Sequence, residues 1–450
     1  MVPTDWQKGV ISPILKKGDK TVCDNHRGIT LLSHAGKIYT RIVEARLRQC
    51  VESVLDDSQY GFRPGRSTTD AVFTIKMILE KSWEWGIDQY ALFIDLEKAF
   101  DKVNRNHLWR ILQEDQYNIP TKLIRVIRSI YSECVSKVRT QNIESEAFNI
   151  DSGVRQGDVL SPLLFIIFMN RCKRDVMIEL NGEETLLYAD DVVVMASSST
   201  NVQEAATRWR QGMSRNGMMI NTKKGKTEIV IISRNRAQQC DIYMGENKLN
   251  QAENYTHLGV NVGETNLQEV EINNRIAKYN SNVGLMYPLL RDKNIPQECK
   301  VTIYQTILKP ILLYGSEVWS LTTKTESRLQ SAEMRALRTI KGVTRRDRIK
   351  NNTIRSGLKV TPLLEEIERN RLRWYGHVMR MEENKQPKRY LLWKPEGKRP
   401  VGRPRKRWME GVEVALGRRG ASLREVEEAG RYEDRENWRR FLKCSPADRQ

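Results

Sequence analysis

The sequence predicts an α+β fold, with a first part of mixed strands and helices and a second part that is nearly all helix. Three observations lead there. The stretch 185–195 has the form strand, tight turn, strand: Thr185-Leu186-Leu187 and Val192-Val193-Val194-Met195 flank the acidic tip Tyr188-Ala189-Asp190-Asp191. A short apolar run, Ala91-Leu92-Phe93-Ile94, ends on Asp95, as a buried strand would. From about Leu267 the strand-like runs stop and helical periodicity takes over.

Taken in order, Val10 to Leu15 and Arg27 to Leu32 form an extended pair around the turn Lys16-Lys17-Gly18-Asp19. A helix is expected from Ser33 to Leu55, with Ile38, Ile42, Val43, Ala45 and Leu47 as its apolar stripe. Gln59 to Ser67 is a Gly/Pro/Arg loop, and Thr69 to Trp83 returns to helix. Leu160 to Met177 reads as a buried helix opened by Ser161-Pro162, because proline suits a first turn. After the acidic hairpin come a helix (Val202 to Gly217), a strand (Thr227 to Ile232), a hairpin at Gly245 and a strand from Tyr255 to Val262. The second part offers helices at Leu267 to Leu290, Pro296 to Tyr314, Lys324 to Ile340 and Pro362 to Met381. The Pro/Gly/basic stretch 394–407 is expected to be poorly ordered in isolation, and a short charged helical tail follows.

Charge is the main compositional signal. There are 75 Lys and Arg against 56 Asp and Glu, a formal net charge of +19, which favours polyanionic partners: nucleic acid or an anionic membrane surface. The seven cysteines are scattered with no CxxC pair, which argues against a disulfide framework or zinc ribbon and for a reducing intracellular compartment. The opening residues lack the form of a secretory signal. The longest apolar run, Leu163 to Met169, is too short to span a bilayer, so no membrane partner is expected.

Two adjacent carboxylates at a hairpin tip can bind hard divalent cations, and Asp95 in Leu92-Phe93-Ile94-Asp95-Leu96 is a third carboxylate at a strand end. A buried strand-end aspartate must be paired, metal-bound or used as a turn cap, and the segment alone leaves these open. Taken together, Asp95, Asp190 and Asp191 supply what a two-metal phosphoryl-transfer site needs.

Seven motifs in fixed order resemble the reverse transcriptases of non-LTR (LINE-type) retrotransposons. They are Arg27-Gly28-Ile29-Thr30-Leu31-Leu32; Gln59 to Thr68; Phe93 to Phe100; Gly153 to Pro162; Tyr188-Ala189-Asp190-Asp191; Asn221 to Glu228; and His257-Leu258-Gly259. The resemblance implies a right-hand polymerase with an antiparallel palm sheet. Fingers and palm would occupy 1–262, a helical thumb 263–345 and a basic helical C-terminal region 346–450. It implies RNA-directed DNA polymerisation with two Mg²⁺ ions (Mn²⁺ as a substitute), an RNA template, a DNA primer and dNTPs. Many relatives carry an endonuclease ahead of the polymerase, whereas this sequence begins almost at the first polymerase motif. Target nicking is therefore expected from a separate endonuclease, in an intracellular, nuclear setting.

By the same resemblance Asp95 and Asp190 would hold both metals, with Asp191 and the Leu96 carbonyl as further ligands. Lys16, Lys17 and Arg27 would grip the triphosphate. Arg63 and Arg66 would hold template phosphates, and Gln156-Gly157 would lie near the nascent base pair. Lys226 (or Lys224, since Gly225 looks inserted) would sit near the leaving group. Phe100, five residues after Asp95, would exclude a ribose 2′-hydroxyl; RNA-templated RNA polymerases tend to carry an acidic residue there. Arg27-Gly28 replaces a more usual Arg-Pro, and Asp158-Val159 a frequent Cys-Pro. Three further readings stand beside these. The chain could be an inactive nucleic-acid-binding relic of a truncated element, or a maturase-like splicing cofactor. The stretch at 398–407 resembles an AT-hook core at Gly402-Arg403-Pro404, and equally suits a nuclear-localisation signal, a polyphosphate tether or a plain linker. Trp374, Trp393, Trp408 and Trp438 are expected to anchor small cores, and His377 to be structural.

Overall fold

The structure, a computed structural model, describes residues 2–16, 18–141, 143–177, 183–235, 238–263, 268–397, 399–402 and 405–443. It divides into two compact units: Met1–Ala71, Gln89–Ile231 and Ala237–Ala252 make the first, and Val72–Asp88, Ile232–Arg236 and Glu253–Gln450 the second.

In the first unit β1 (Lys8–Leu15) and β2 (His26–Leu31) pair antiparallel, with Ile14 opposite Arg27. Helix α1 (His34–Val51) follows, then α2 (Thr68–Trp85), whose residues from Val72 on belong to the second unit. Strand β3 (Gln89–Ile94) is buried along its whole length, and β4 (Val135–Thr140) runs parallel to β1. Helix α3 (Ser161–Met177) is apolar through its first half, where Leu163 to Met169 are fully buried, and carries Asn170, Arg171, Lys173, Arg174 and Asp175 in its second. That makes it the central rod of the first core, at about 1.5–3 kcal/mol for each large side chain removed from water. Strands β5 (Glu184–Tyr188) and β6 (Asp191–Ala196) form the acidic hairpin. Next come α4 (Ser199–Arg215), capped by the Ser198 hydroxyl, then β7 (Glu228–Ile232) and β8 (Asn250–Gln251).

The main sheet runs β8-β7-β3-β6-β5. Its centre is antiparallel, with β3 on β6 and β6 on β5, while the two-residue edge strand β8 lies parallel to β7. This is the α+β arrangement expected of a palm. Two details differ from the sequence reading. Ile38 and Ile42 on α1 are 66% and 50% exposed, because the face turned inward carries Gly36, Thr40, Val43, Leu47 and Val51. The run Tyr255 to Val262 is a hairpin and not one strand: β9 (Asn254–His257) and β10 (Val260–Gly263) flank Leu258 and Gly259, both at positive φ.

The second unit is helical beyond that hairpin, including α5 (Glu269–Arg291), α6 (Thr323–Lys341), α7 (Leu363–Met379) and α8 (Trp408–Gly417). Helix α6 starts at a capping box between Thr322 and Thr325 and stops at Gly342 in the left-handed region. Glu333, fully buried, accepts from Arg355 at 2.6 Å and from the Leu363 amide at 3.1 Å, joining α6 to the elements after it. Trp374, Trp408 and Trp438 are buried in the core, and the indoles of Trp408 and Trp438 donate to the Glu317 and Leu372 carbonyls.

The basic stretch does not hang free. Arg399 and Arg407 lie 2.7 and 3.6 Å from the Glu84 carboxylate, and the Arg405 guanidinium is 3.7 Å from the Trp83 ring centroid. The Trp408 amide donates to Glu80 at 2.9 Å. Expected disorder gives way to order because the last turns of α2 offer acids and an aromatic face to the arginines. Lys398, Arg403 and Pro404 lie outside the described residues, so the hook-like core falls partly beyond them. Among the described residues no helix is long and apolar enough to cross a membrane.

Candidate active site

The site is built on the antiparallel centre of the main sheet. Ile94 pairs with Val192 and Tyr188 with Asp191, so Asp95, one residue past β3, comes level with Asp191 at the start of β6. Asp190 occupies the two-residue turn between. All three are half-buried, and their charges act on one another. Burial pushes the Asp191 carboxyl up to about 6, with further upward pressure from Asp190 and then Asp95. Asp190 is also raised, by burial first; Asp95 adds to this, while its own backbone amide, Arg27 and Lys226 oppose it.

The backbone around Asp95 is pinned on both sides. Its amide donates to the Thr227 hydroxyl at 3.1 Å, its carbonyl accepts from Asn221 at 2.8 Å, and the Glu97 amide donates to Met219 at 2.9 Å. Leu96 sits between these bonds, buried and bridged to Ile220. Lys226 Nζ stands 3.4 Å from the Asp95 carboxylate. The turn that brings it there uses Gly225 at φ +80, whose amide donates to Glu228 at 2.8 Å. The extra-looking glycine therefore aims Lys226, and not Lys224, at the site.

The hairpin tip needs support, because Ala189 lies at φ +58, a region that costs a residue with a Cβ about 1–2 kcal/mol. Support comes from the loop 58–61. The Leu187 amide donates to the Ser58 carbonyl at 2.9 Å, and the Tyr60 amide to the Leu187 carbonyl at 2.8 Å. A Cβ on Gly61 would lie 2.4 Å from the Ala189 nitrogen, so only glycine fits.

Phe100 is half-buried, stacked on Phe165 with centroids 4.4 Å apart and touched edge-on by Phe62 at 6.4 Å. The Gln156 carbonyl accepts from the Thr30 amide at 2.7 Å, and its side chain donates to Asp101 at 3.2 Å. Gly157 has φ +126, and a Cβ there would meet the Thr30 carbonyl oxygen at 2.3 Å. Arg27 and Lys16 are exposed at the loop end of the β1–β2 hairpin; Lys17 lies outside the described residues.

Arg63 and Arg66 differ from the expectation. Arg63 is buried and donates to Glu52 and to the carbonyls of Glu52, Leu55 and Asp56. Arg66 donates to the carbonyl and carboxylate of Asp57 and lies over the Tyr60 ring. Their guanidiniums brace the loop that carries Gln59 to Gly61. The reason is physical: a buried guanidinium must satisfy its donors, and the loop carbonyls do so. Thr227 and Gln59, which touch the two acidic segments, escaped the sequence reading, since nothing in local pattern marks a buried hydroxyl or amide as a partner of a distant strand.

Among the described residues no three His, Cys, Asp or Glu side chains are drawn together tightly enough to hold a metal ion. The donor chemistry nonetheless fits a hard divalent cation: three carboxylates at neighbouring strand ends, two of them raised by burial and by the charges of the others, with Lys226 in contact with Asp95.

A family profile described as reverse transcriptase (RNA-dependent DNA polymerase) matches residues 14–262. Over 392 residues the chain is 26% identical to a probable RNA-directed DNA polymerase from transposon X-element of Drosophila melanogaster, an alignment covering 84% of this chain and 42% of that protein. It is 26% identical over 383 residues to the RNA-directed DNA polymerase from mobile element jockey of the same species, covering 81% of this chain and 41% of that protein. The chain thus spans about four-tenths of the length of these relatives. Among solved structures, telomerase from Candida albicans in complex with a fragment of telomeric RNA is similar at TM-score 0.46 and 10% identity, over 95% of this chain and 65% of that one.

Proposed function

The chain belongs to the reverse transcriptase (RNA-dependent DNA polymerase) family, and from that premise we propose that it extends a DNA primer on an RNA template by two-metal phosphoryl transfer. One observation carries the proposal: Asp95, Asp190 and Asp191 converge at adjoining strand ends with Arg27 and Lys226 acting on them.

Asp95 and Asp190, with Asp191 and the Leu96 carbonyl in support, would hold two Mg²⁺ or Mn²⁺ ions. When bound, these activate the primer 3′-hydroxyl and neutralise the triphosphate. The chain's own residues do the rest. Arg27 and Lys16 reach the triphosphate from the exposed hairpin end, Arg by a planar fork and Lys as a point charge; Lys17 is assigned to the same group. Lys226 balances Asp95 and can meet charge developing on the pyrophosphate. Phe100, its ring immobilised on Phe165, is the gate against a 2′-hydroxyl. Gln156 and Gly157 would lie near the nascent base pair, held there by the close approach of the Thr30 backbone that only glycine at 157 permits. No protein nucleophile is needed, since the primer hydroxyl attacks directly. In its element the enzyme would start from a nicked chromosomal 3′ end in the nucleus.

Primer extension on an RNA template with dNTPs and Mg²⁺ tests this. Asp190→Asn should lose at least about 10²–10³-fold in rate, and Phe100→Val should raise rNTP incorporation. Equal rates for wild type and Asp190→Asn would sink the site, and an unchanged dNTP preference in Phe100→Val would sink the gate. Absence of extension by wild type, with RNA binding intact, would return the chain to an inactive relic.

A further inference from the structure

We propose that Gln59 is a positioning residue for the acidic hairpin: its side-chain carbonyl holds the Ala189 peptide so that Asp190 and Asp191 are presented together. The role rests on the polymerase reading above, while the clamp itself can be measured without polymerisation.

The hairpin has a mechanical problem. Tyr188 pairs with Asp191, so the whole reversal is made by Ala189 and Asp190. Turns of two residues want glycine, asparagine or aspartate where φ is positive, and here alanine stands at φ +58. The Ala189 amide is buried as well, and it must find an acceptor or leave a donor unpaired.

Gln59 supplies that acceptor from outside the hairpin. It is 2% exposed, and its Oε1 accepts from the Ala189 amide at 2.9 Å and from the Gly61 amide at 2.9 Å. Two donors on one oxygen settle the amide's orientation, because the flipped rotamer would set Nε2 against both N–H groups. The Nε2 end has no hydrogen-bond partner among the described residues. An unpaired buried donor is a cost of folding, so stability alone does not explain a glutamine at this position. It is tolerated together with the acceptor that the turn requires.

The clamp is stiff. Asp56 and the Ser58 hydroxyl both lie 2.6 Å from Lys173 on α3, and the Asp56 amide donates to Asn170 of the same helix at 2.9 Å. Arg63 ties the other end of the loop to Glu52 at 2.8 Å. Gln59 therefore transmits the position of the central helix to the peptide between Tyr188 and Asp190.

Gln59→Met keeps the shape and removes the acceptor. The turnover rate for primer extension should fall about 10²-fold, as for misplaced reacting groups. The KM for dNTP should stay within about twofold, and half-activation should need severalfold more Mg²⁺. Gln59→Glu retains acceptor oxygens and should recover most of the rate. Ala189→Gly removes the left-handed penalty, so in that background the Gln59→Met loss should shrink by about tenfold. Hydrogen exchange reads the clamp directly: the Ala189 amide should exchange at least about tenfold faster in Gln59→Met. An unchanged Mg²⁺ requirement, a loss merely additive with Ala189→Gly, or unchanged Ala189 exchange would overturn the proposal. If Gln59→Met fails to fold, Gln59→Glu and the double variant with Ala189→Gly carry the same comparisons. If wild type extends no primer, the polymerase reading fails and Ala189 exchange still decides the clamp.

Discussion

Replacing Gly157 by alanine should damage both the fold and the substrate site, by an amount that follows from the contacts. At φ +126 an L-residue is strained by about 1–3 kcal/mol. The new Cβ would also start 2.3 Å from the Thr30 carbonyl oxygen, where ordinary contact is 3.4–4 Å. That oxygen is backbone within β2, in a residue paired with Ile11 of β1, so it cannot rotate aside as a side chain would. The 156–157 segment must lift instead, breaking the 2.7 Å bond from the Thr30 amide to the Gln156 carbonyl, worth about 1 kcal/mol. The total is roughly 2–4 kcal/mol, or a fall of roughly 5–15 °C in Tm by calorimetry. Arg27 lies three residues before Thr30 on the same strand, so the displacement should also raise the KM for dNTP in steady-state primer extension. A Gly157→Ala protein with unchanged Tm and unchanged KM would refute the reasoning.

Two further predictions concern the second unit. Glu333→Leu strands the buried Arg355 guanidinium and should cost about 3–5 kcal/mol in urea unfolding, whereas Glu333→Leu with Arg355→Met should recover most of it; a single variant within 1 kcal/mol of wild type would refute this, taking about 1 kcal/mol as the worth of an exposed pair. Glu80 is held up to about 7 chiefly by burial, against the opposing pull of the Trp408 amide. Because the folded state binds that proton more tightly than the unfolded chain does, Glu80 favours folding below pH about 4.5 and progressively weakens it as pH rises through about 7. Glu80→Gln, which keeps an acceptor for Trp408, should therefore be more stable than wild type at pH 8 by about 1–3 kcal/mol and equal to it near pH 4; a difference independent of pH would refute it.

The candidate site was legible because its chemistry sits in short, contiguous pieces. Tyr188-Ala189-Asp190-Asp191 between two apolar runs already states a hairpin with an acidic tip, and Phe93-Ile94-Asp95 states a strand end. Helix α3 was equally plain, since a run such as Leu163 to Met169 after Ser161-Pro162 can only be buried. Arginines were less legible. Arg27 and Arg63 look alike in a sequence, yet Arg27 is exposed and acts on Asp190, while Arg63 is consumed by its own loop. Charge is a local property of a residue, but the number of carbonyls waiting for it is set by the way the chain closes around it.

By itself the sequence determined the acidic hairpin, its third carboxylate, the central apolar helix and the change to helices beyond residue 264, since each follows from the periodicity and type of neighbouring residues. Tertiary structure alone decided which face of α1 is buried, that residues 72–88 pack with the helical unit, that Glu84 and Trp83 order the basic stretch, and that Gln59 and Thr227 hold the two acidic segments. These depend on pairings between residues from 130 to more than 300 positions apart in several cases, such as Gln59 with Ala189 and Glu80 with Trp408. Hydrogen-bond satisfaction and charge neutralisation act on whatever the fold brings within about 3 Å, and no local pattern along the chain records who those neighbours will be.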